Sequence, residues 1–276
     1  MHCHLHSTEL IFADRPIADD TAAVLLVTAH PDDECMFFTP AILGLQAAGV
    51  AVHVLCLSTG NFDGLGATRA LELRASCAAL GLPNERVTCV DDPQLQDGPV
   101  NAWPPAHVAA RVHAHLHALG VSHVLTFDAQ GVTRHPNHVA VHAGVRLLLN
   151  APPGSGGAPW RLPRPLVAHE LVSTGLLRKH LGLWDALLSL LATLAWLLWR
   201  RSVASLLPRR ASRHVKEGAT KGGAAPSGPR HCCVFTARPR RCHAAMCAHA
   251  SQYVWYRKLY VLTSRFVWVN TLHRLS

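Results

Sequence analysis

The residues best suited to catalysis form two short polar clusters, each following an apolar run. The first cluster, His30–Glu34 (HPDDE), follows Ala22–Val27 and places one imidazole beside three carboxylates. The second, His135–His138 (HPNH), follows Val121–Phe127 and contributes two more imidazoles. Imidazole and carboxylate groups in such numbers serve as ligands and proton-transfer groups in metal-dependent hydrolases.

A catalytic zinc site usually has three nitrogen or oxygen ligands from the protein and leaves one position for water. His30, Asp33 and His138 can supply that set. His30 and Asp33 are three residues apart at a predicted helix start, so they can face the same side, and Pro31 suits the first helical turn. We therefore predict Zn²⁺ as the cofactor, although two imidazoles and one carboxylate also accept other divalent ions.

Two further residues of the clusters are candidates for the chemical step. A bound metal lowers the pKa of its water, and a carboxylate beside the metal can then take the water proton. Asp32 is our candidate for this base. His135 could hold a developing oxyanion or protonate a leaving amine. The alternative, that HPDDE is only an acidic helix start that suits the helix dipole, is weakened by the second cluster.

Alternating strands and helices are predicted to bring both clusters to one edge of a sheet. This alternation predicts an α/β fold, a Rossmann-like, mostly parallel sheet with helices on both faces. Ligands of such sheets bind beyond the carboxyl ends of the strands. The predicted strands are Ala22–Ala29, Ala51–Leu57, Val87–Val90, Val121–Phe127 and Leu166–Val172, and the predicted helices are Glu34–Ala48, Thr68–Leu80, Pro105–Leu119 and Asn137–Leu149.

Changes in composition divide the chain into five predicted segments. The uncharged run Ala186–Trp199 has 14 residues, fewer than the roughly 20 that span a bilayer, so we expect an interfacial, re-entrant or buried helix there. The aromatic and basic C-terminal stretch suits either a membrane surface or packing on the sheet. The segments are a disordered tail (1–21), the catalytic α/β domain (22–184), an apolar, candidate membrane-associated helix (185–201), a basic flexible insertion (208–242) and a C-terminal aromatic and basic helix of the catalytic domain (243–276).

The net charge of +9 is concentrated in one segment. Residues 208–242 hold nine Lys or Arg against one acid, which leaves the rest of the chain almost neutral. The predicted domain therefore has no field to attract nucleic acid, and the segment is either a basic stretch facing an acidic membrane or a solvated linker. Nine cysteines without framework spacing favour free thiols in a reducing compartment. Met1–Asp20 has no apolar core, so we expect neither a signal peptide nor an N-terminal anchor there.

At these residues the chain resembles the LmbE-like zinc de-N-acetylases, and more closely their eukaryotic branch acting on N-acetylglucosaminyl-phosphatidylinositol in GPI-anchor synthesis. The similarity covers about residues 22–184 and again roughly 243–275. It rests on HPDDE and the later HxxH, with support from LSTGN at 57–61, Thr68-Arg69, and YRKLY at 256–260.

The resemblance implies release of acetate from a glycolipid substrate at the cytoplasmic face of the endoplasmic reticulum membrane. Two alternatives stay open, a soluble N-acetylglucosamine conjugate as the substrate and a non-catalytic, membrane-associated scaffold. The site residues that the resemblance implies are zinc ligands at His30, Asp33 and His138, a base at Asp32, an oxyanion partner at His135, and Arg69 on the substrate sugar or its phosphate.

Overall fold

The computed structural model describes residues 2–6, 9–13, 22–150, 164–206 and 231–275. The strands in these residues are β1 (His2–His6), β2 (Glu9–Ala13), β3 (Ala23–Thr28), β4 (Ala51–Cys56), β5 (Val87–Cys89), β6 (His123–Phe127), β7 (Val167–Leu171), β8 (His231–Thr236) and β9 (Val269–Arg274). They form one sheet in the order β1-β2-β8-β9-β7-β6-β3-β4-β5.

Helices cover both faces of this sheet, with short 3₁₀ turns in several connections. The helices are α1 (Asp33–Phe37), α2 (Thr39–Ala47), α3 (Gly66–Ala79), α4 (Pro105–Leu119), α5 (Gly131–Arg134), α6 (Pro136–Leu149), α7 (Leu176–His180), α8 (Gly182–Leu206), α9 (Pro239–Ala248) and α10 (Trp255–Thr263).

The five strands from β3 to β7 form the parallel part of the sheet and confirm the predicted fold class. Strands β4 and β5 lie on one side of β3, whereas β6 and β7 lie on the other. With right-handed crossovers, α2 and α3 cover one face and α4 and α6 the other. The strand order therefore reverses between β3 and β6, and the two polar clusters follow these two strands. A sheet of this type binds its ligands at that point.

The N-terminal tail predicted to be disordered contains two strands instead. Strand β1 pairs antiparallel with β2, and β2 pairs antiparallel with β8, so both extend the sheet beyond β9. An edge strand leaves a row of unpaired backbone groups that another strand can satisfy. Here that edge belongs to β8, more than two hundred residues later, and the local sequence could not indicate it. The rest of the predicted tail lies outside the described residues.

The C-terminal part of the chain also differs from the prediction. Residues 231–242, assigned to the basic insertion, form β8 and begin α9; residues 207–230 of that region lie outside the described residues. The predicted single helix over 243–276 is the end of α9, then α10 and strand β9. Strand β9 pairs antiparallel with both β7 and β8. This pairing is a tertiary contact, which the local spacing of apolar residues does not predict.

The predicted helix Glu34–Ala48 is interrupted at Phe38, which separates α1 from α2. Pro40 has no N–H to continue the helical hydrogen bonds across this point. Asn270 on β9 satisfies the backbone groups at the break, because its amide accepts from Ala41 N at 2.9 Å and donates to Phe37 O at 2.8 Å. The C-terminal strand therefore stabilises the first helix pair after the HPDDE cluster.

The apolar segment forms α8, which packs on the antiparallel strands. Ala186 clusters with Phe235 and Val269, on the face of β8 and β9 opposite to Asn270, which contacts α2. Asp185, the charged residue at the start of the apolar run, accepts from Arg265 Nε at 2.6 Å, and both side chains are buried. No helix among the described ranges is both long enough and apolar enough to cross a bilayer.

We expect Asp185→Asn to destabilise the fold by about 3–5 kcal/mol, because it leaves the buried Arg265 charge without its counterion. The free energy of unfolding from urea titration measures this effect. Glu85→Gln, an exposed carboxylate in the connection before β5, is the control and should change it by less than about 0.5 kcal/mol. Equal stability of Asp185→Asn and wild type would contradict the role of this ion pair.

Candidate metal centre

Asp33 lies where β3 passes into α1, and its carboxylate is held by the turn that carries it. Its Oδ2 accepts from the backbone N–H groups of Ala29 at 3.0 Å and His30 at 2.8 Å. Its Oδ1 points away from these amides and lies 3.2 Å from His138 Nε2. Asp33 is 2% exposed. The carboxylate thus joins the ends of β3 and β6, which the sequence pattern predicted to converge.

His138, in the first turns of α6, has a fixed ring orientation. Its Nδ1 lies 2.9 Å from Gly131 O, so Nδ1 carries the proton and Nε2 is directed at Asp33. Phe127 stacks on the imidazole with ring centroids 4.2 Å apart. Gly131 has φ +57°, and a Cβ there would lie 2.6 Å from His138 Cβ. Glycine at 131 therefore permits the close packing of the loop against the histidine.

The loop before His135 contains a strained backbone that a hydrogen-bond network holds in place. Val132, a β-branched residue, has φ +59°, a conformation that costs on the order of 1–3 kcal/mol. Its N–H donates to Ser173 Oγ at 2.8 Å, and Asp128 accepts from Ser173 N and Oγ at 2.6 Å each. Strain of this kind is typical of functional loops.

His30 and His135 complete a compact group with His138. The His30 ring centroid lies 5.3 Å from that of His138 and 4.7 Å from that of His135. One nitrogen from each of the three rings lies within 4.8 Å of the others. Both His30 and His138 are buried, whereas His135 is half-buried. The structure thus brings the three predicted ligands together, with His135 within reach of the same point.

The charges of this group suit a cation. Burial acts to raise the pKa of Asp33, but His138 and His30 overcome this effect and hold the pKa well below its usual range. The pKa of His135 falls to about 4, first through burial and then through the neighbouring imidazoles His30 and His138. Asp33 is therefore ionised and His135 neutral at pH 7. Burial acts to lower the pKa of His138, but Asp33 more than offsets this and raises it. A carboxylate beside imidazole nitrogens is the donor set that zinc prefers.

Asp32 lies beside the imidazoles, in a strained conformation. Its φ of +116° is unusual for a residue other than glycine. Its Oδ2 lies 2.9 Å from Arg257 Nη1 and 3.5 Å from Arg69 Nη2. Burial raises the pKa of Asp32 above its ordinary value, although Arg257 opposes the rise. A carboxylate with a raised pKa is a better proton acceptor than an ordinary one.

A buried pair of side chains, Glu34 and His249, supports the backbone of Asp32, and the sequence pattern did not predict it. Glu34 Oε2 accepts from the backbone N–H of Asp32 at 3.1 Å, and Glu34 Oε1 lies 2.8 Å from His249 Nε2. Glu34 and His249 are both 0% exposed. His249 lies outside HPDDE, HPNH and the supporting motifs named above. It is 215 residues from Glu34, so no local spacing could indicate the pair.

Arg69 joins the ends of β3 and β4. It is 5% exposed, and its guanidinium donates to Gly60 O at 2.7 Å and Pro31 O at 2.8 Å. A Cβ on Gly60 would lie 2.5 Å from the Arg69 guanidinium, so glycine is required there. These contacts place Arg69 next to Asp32, whose Oδ2 lies 3.5 Å from Arg69 Nη2. Its role on the substrate stays a prediction.

Comparison with known proteins agrees with this geometry. The family model described as PIG-L, GlcNAc-PI de-N-acetylase, matches residues 25–149. Over 251 residues the chain is 36% identical to the N-acetylglucosaminyl-phosphatidylinositol de-N-acetylase of Bos taurus, which covers 91% of this chain and 83% of the bovine protein. The chain belongs to the GlcNAc-PI de-N-acetylase family. The predicted family and the hydrolase class are thus confirmed.

Two further comparisons bear on the range of the family and on the fold. A 1D-myo-inositol 2-acetamido-2-deoxy-alpha-D-glucopyranoside deacetylase of Actinosynnema mirum is 33% identical over 146 residues, 43% of this chain and 52% of that protein. The solved structure of the A40926 pseudoaglycone deacetylase Dbv21 superposes with a TM-score of 0.51 and 13% identity, over 93% of this chain and 98% of that one. The second likeness shows the shared fold.

We expect His249→Gln to destabilise the protein by about 3–5 kcal/mol at pH 6, because it leaves the Glu34 charge buried without its partner. Burial alone lowers the pKa of His249, but Glu34 more than offsets this and raises it above 6.5. A raised folded pKa means that the stabilisation is complete below about pH 6.5 and is lost as the pH rises through the folded value. The pKa of Glu34 is lowered despite its burial, so Glu34 stays ionised throughout this range.

Urea unfolding at pH 6 and at pH 8.5 measures the difference in the free energy of unfolding between wild type and His249→Gln. This difference should be smaller at pH 8.5. His117→Gln, an exposed histidine on α4, is the control and should match wild type at both values. A difference that grows with pH would show that the pair is not ionised in the way described.

Proposed function

We propose that this chain is a zinc-dependent hydrolase that removes the acetyl group of N-acetylglucosaminyl-phosphatidylinositol. The products are glucosaminyl-phosphatidylinositol and acetate, in GPI-anchor biosynthesis. The observation that carries the proposal is the buried convergence of His30, Asp33 and His138 beside Asp32, in a member of the GlcNAc-PI de-N-acetylase family. The bovine relative carries this substrate in its name.

His30, Asp33 and His138 would hold the Zn²⁺. When bound there, the ion supplies a Lewis acid and a water of lowered pKa. Asp33 contributes a charge in a fixed position, because backbone amides bind its Oδ2 while its Oδ1 faces His138. The Gly131 carbonyl holds the tautomer of His138 that leaves Nε2 for a ligand.

Asp32 takes the proton of the attacking water and later passes it to the amine that leaves. It is suited to this because its carboxylate is next to the candidate ligands and its pKa is raised by burial. The strained backbone of Asp32 is held by Glu34 and His249. These two residues act by positioning the base.

His135 donates a hydrogen bond to the acetyl oxygen as negative charge develops on it. Its Nδ1 accepts from Asn137 N at 3.2 Å, and its pKa of about 4 keeps the ring neutral. The single ring proton is therefore on Nε2, which makes Nε2 a donor toward the site. This favours the oxyanion role over the alternative of a general acid, which needs a protonated ring.

A lipid-linked substrate is favoured over a soluble conjugate by the surface that three neighbouring helices present. Helices α7, α8 and α10 pack together, and their large apolar side chains are exposed. An apolar face with tryptophan and nearby basic residues is typical of helices that lie in a membrane interface. We define the outer apolar surface as Leu177 on α7, Trp184 and Leu188 on α8, and Trp255 and Leu259 on α10, which are between 53% and 76% exposed.

We propose that this surface attaches the protein to the cytoplasmic face of the endoplasmic reticulum membrane. Lys258, exposed on α10, adds positive charge beside this surface, which favours anionic lipid. Cys35, Cys56 and Cys77 are buried thiols, in agreement with the reducing compartment that the sequence predicts. The proposed partner is thus the glycolipid in its membrane.

Zinc-loaded wild type should release acetate from N-acetylglucosaminyl-phosphatidylinositol, and Asp32→Asn should lower kcat by about 10²–10⁴-fold. Asparagine tolerates positive φ, so this variant keeps the backbone and should bind zinc as wild type does. A chelator should abolish turnover, and zinc should restore it. Asp91→Asn, an exposed carboxylate after β5, is the control. If folded, zinc-loaded wild type released no acetate, the lipid would be excluded as the substrate. Soluble N-acetylglucosamine conjugates would then be tested in its place.

Flotation with vesicles of phosphatidylcholine and phosphatidylinositol tests the membrane proposal. The double variant Trp255→Ser, Leu259→Ser removes two side chains that would enter the lipid, each contributing about 1.5–3 kcal/mol to binding. The partition coefficient of the variant into vesicles should therefore fall at least about tenfold. The matched control, Leu119→Ser with Leu147→Ser, changes exposed leucines on α4 and α6. Equal flotation of both double variants and wild type would exclude the outer apolar surface as the attachment site.

A further inference from the structure

Two guanidinium groups face Asp32, and they differ in their freedom to bind a substrate. The Arg69 side chain is 7% exposed and is held by two backbone carbonyls. The Arg257 side chain, from α10, is 19% exposed and lies 2.9 Å from Asp32 Oδ2. Arg257 is therefore the more accessible of the two cations beside Asp32, although the resemblance implied a substrate role only for Arg69.

The hydrogen bonds of Arg257 leave most of its donors available. Within the described part of the chain, all the side-chain contacts involve Nη1, which contacts Asp32 Oδ2, Gln252 O at 3.2 Å and Gln252 Oε1 at 2.7 Å. A guanidinium has five N–H donors in a planar fork. Three acceptors thus share one nitrogen, and Nη2 and Nε are free to meet a ligand that enters from solvent.

The helix that carries Arg257 has one face toward the site and one toward the outside. Tyr260 on its inner face has its ring 6.0 Å from that of Phe37, which in turn lies 5.8 Å from His138. Trp255 and Leu259, on its outer face, belong to the outer apolar surface. A molecule with its sugar at the metal centre and its acyl chains on the membrane side must pass α10 between the two.

We propose that Arg257 binds the phosphodiester of the substrate and thereby makes the site selective for a phosphate-linked glycoconjugate. The inference rests on the proposed function, because the phosphodiester is the anionic group that joins the sugar and inositol to the lipid. A guanidinium fork matches two phosphate oxygens and binds them in bidentate fashion. Nη2 and Nε can bind the phosphate while Nη1 keeps its contacts with Asp32 and Gln252.

A comparison of two substrates with zinc-loaded full chain tests this proposal. One substrate is N-acetylglucosaminyl-phosphatidylinositol, and the other is N-acetylglucosaminyl-inositol, which lacks the phosphate. Arg257→Gln should lower kcat/KM for the first by about 10–100-fold, mainly through KM, the size expected for a lost charge-assisted hydrogen bond. It should change kcat/KM for the second by less than about threefold. Arg257→Lys, which keeps the charge but not the fork, should lie between wild type and Arg257→Gln on the phosphate substrate.

The control is Arg240→Gln, which removes an exposed cation on α9 and should leave kcat/KM for both substrates as in wild type. An equal loss on both substrates would show that Arg257 positions Asp32, and no loss on either would show that it has no part in recognition. Either result overturns the proposal.

A binding measurement separates this proposal from the proposed function. Glycerophosphoinositol, a water-soluble phosphodiester, is titrated calorimetrically into zinc-loaded wild type and Arg257→Gln. The wild type should bind it about tenfold more tightly. Weaker binding by the variant supports the phosphate site even if wild type releases no acetate. Equal binding by both overturns the phosphate site even if acetate release by wild type establishes the activity.

Discussion

The buried carboxylate of Asp33 is the contact on which the candidate site depends. A charge without water is costly unless hydrogen bonds and an opposite charge compensate for it. Two backbone N–H groups at the end of β3 and the imidazole of His138 on α6 provide this compensation. The same contacts bring the ends of β3 and β6 together at the point where strand order reverses. Removing the carboxylate would therefore disturb both the architecture of that edge and the group of donors suited to a cation.

The residues after 230 complete this site from the other side of the sequence. His249 neutralises Glu34 beneath the strained Asp32, Arg257 contacts the Asp32 carboxylate, and Asn270 satisfies the break between α1 and α2. The family model matches only residues 25–149, whereas identity with the bovine relative extends over 91% of the chain. The site is thus not confined to residues 22–184, because the C-terminal segment contacts both Glu34 and Asp32.

Helices α8 and α10 connect this site to the exterior in different ways. In α8, Asp185 pairs with the buried Arg265, and Ala186 packs on β8 and β9. Asp185, which interrupts the apolar run, thus fixes α8 to the turn that precedes β9. The leucines and tryptophans of α8 that do not pack inward are exposed. In α10, Arg257 and Trp255 lie on opposite faces. One short helix can therefore contact both a polar headgroup in the site and an apolar environment outside it.

The sequence alone determined the parallel part of the sheet and the main members of the site. Buried strands such as β3 read as continuous apolar runs, and parallel strands bring their carboxyl ends to one edge, so HPDDE and HPNH had to converge. Only the tertiary structure decided the strands β2 and β9, because β2 pairs with β8 and β9 pairs with β7, each distant in sequence. It also decided that His249 and Arg257 belong to the site, since their partners lie more than two hundred residues away. Contacts over such distances follow from packing, which local periodicity and spacing do not encode.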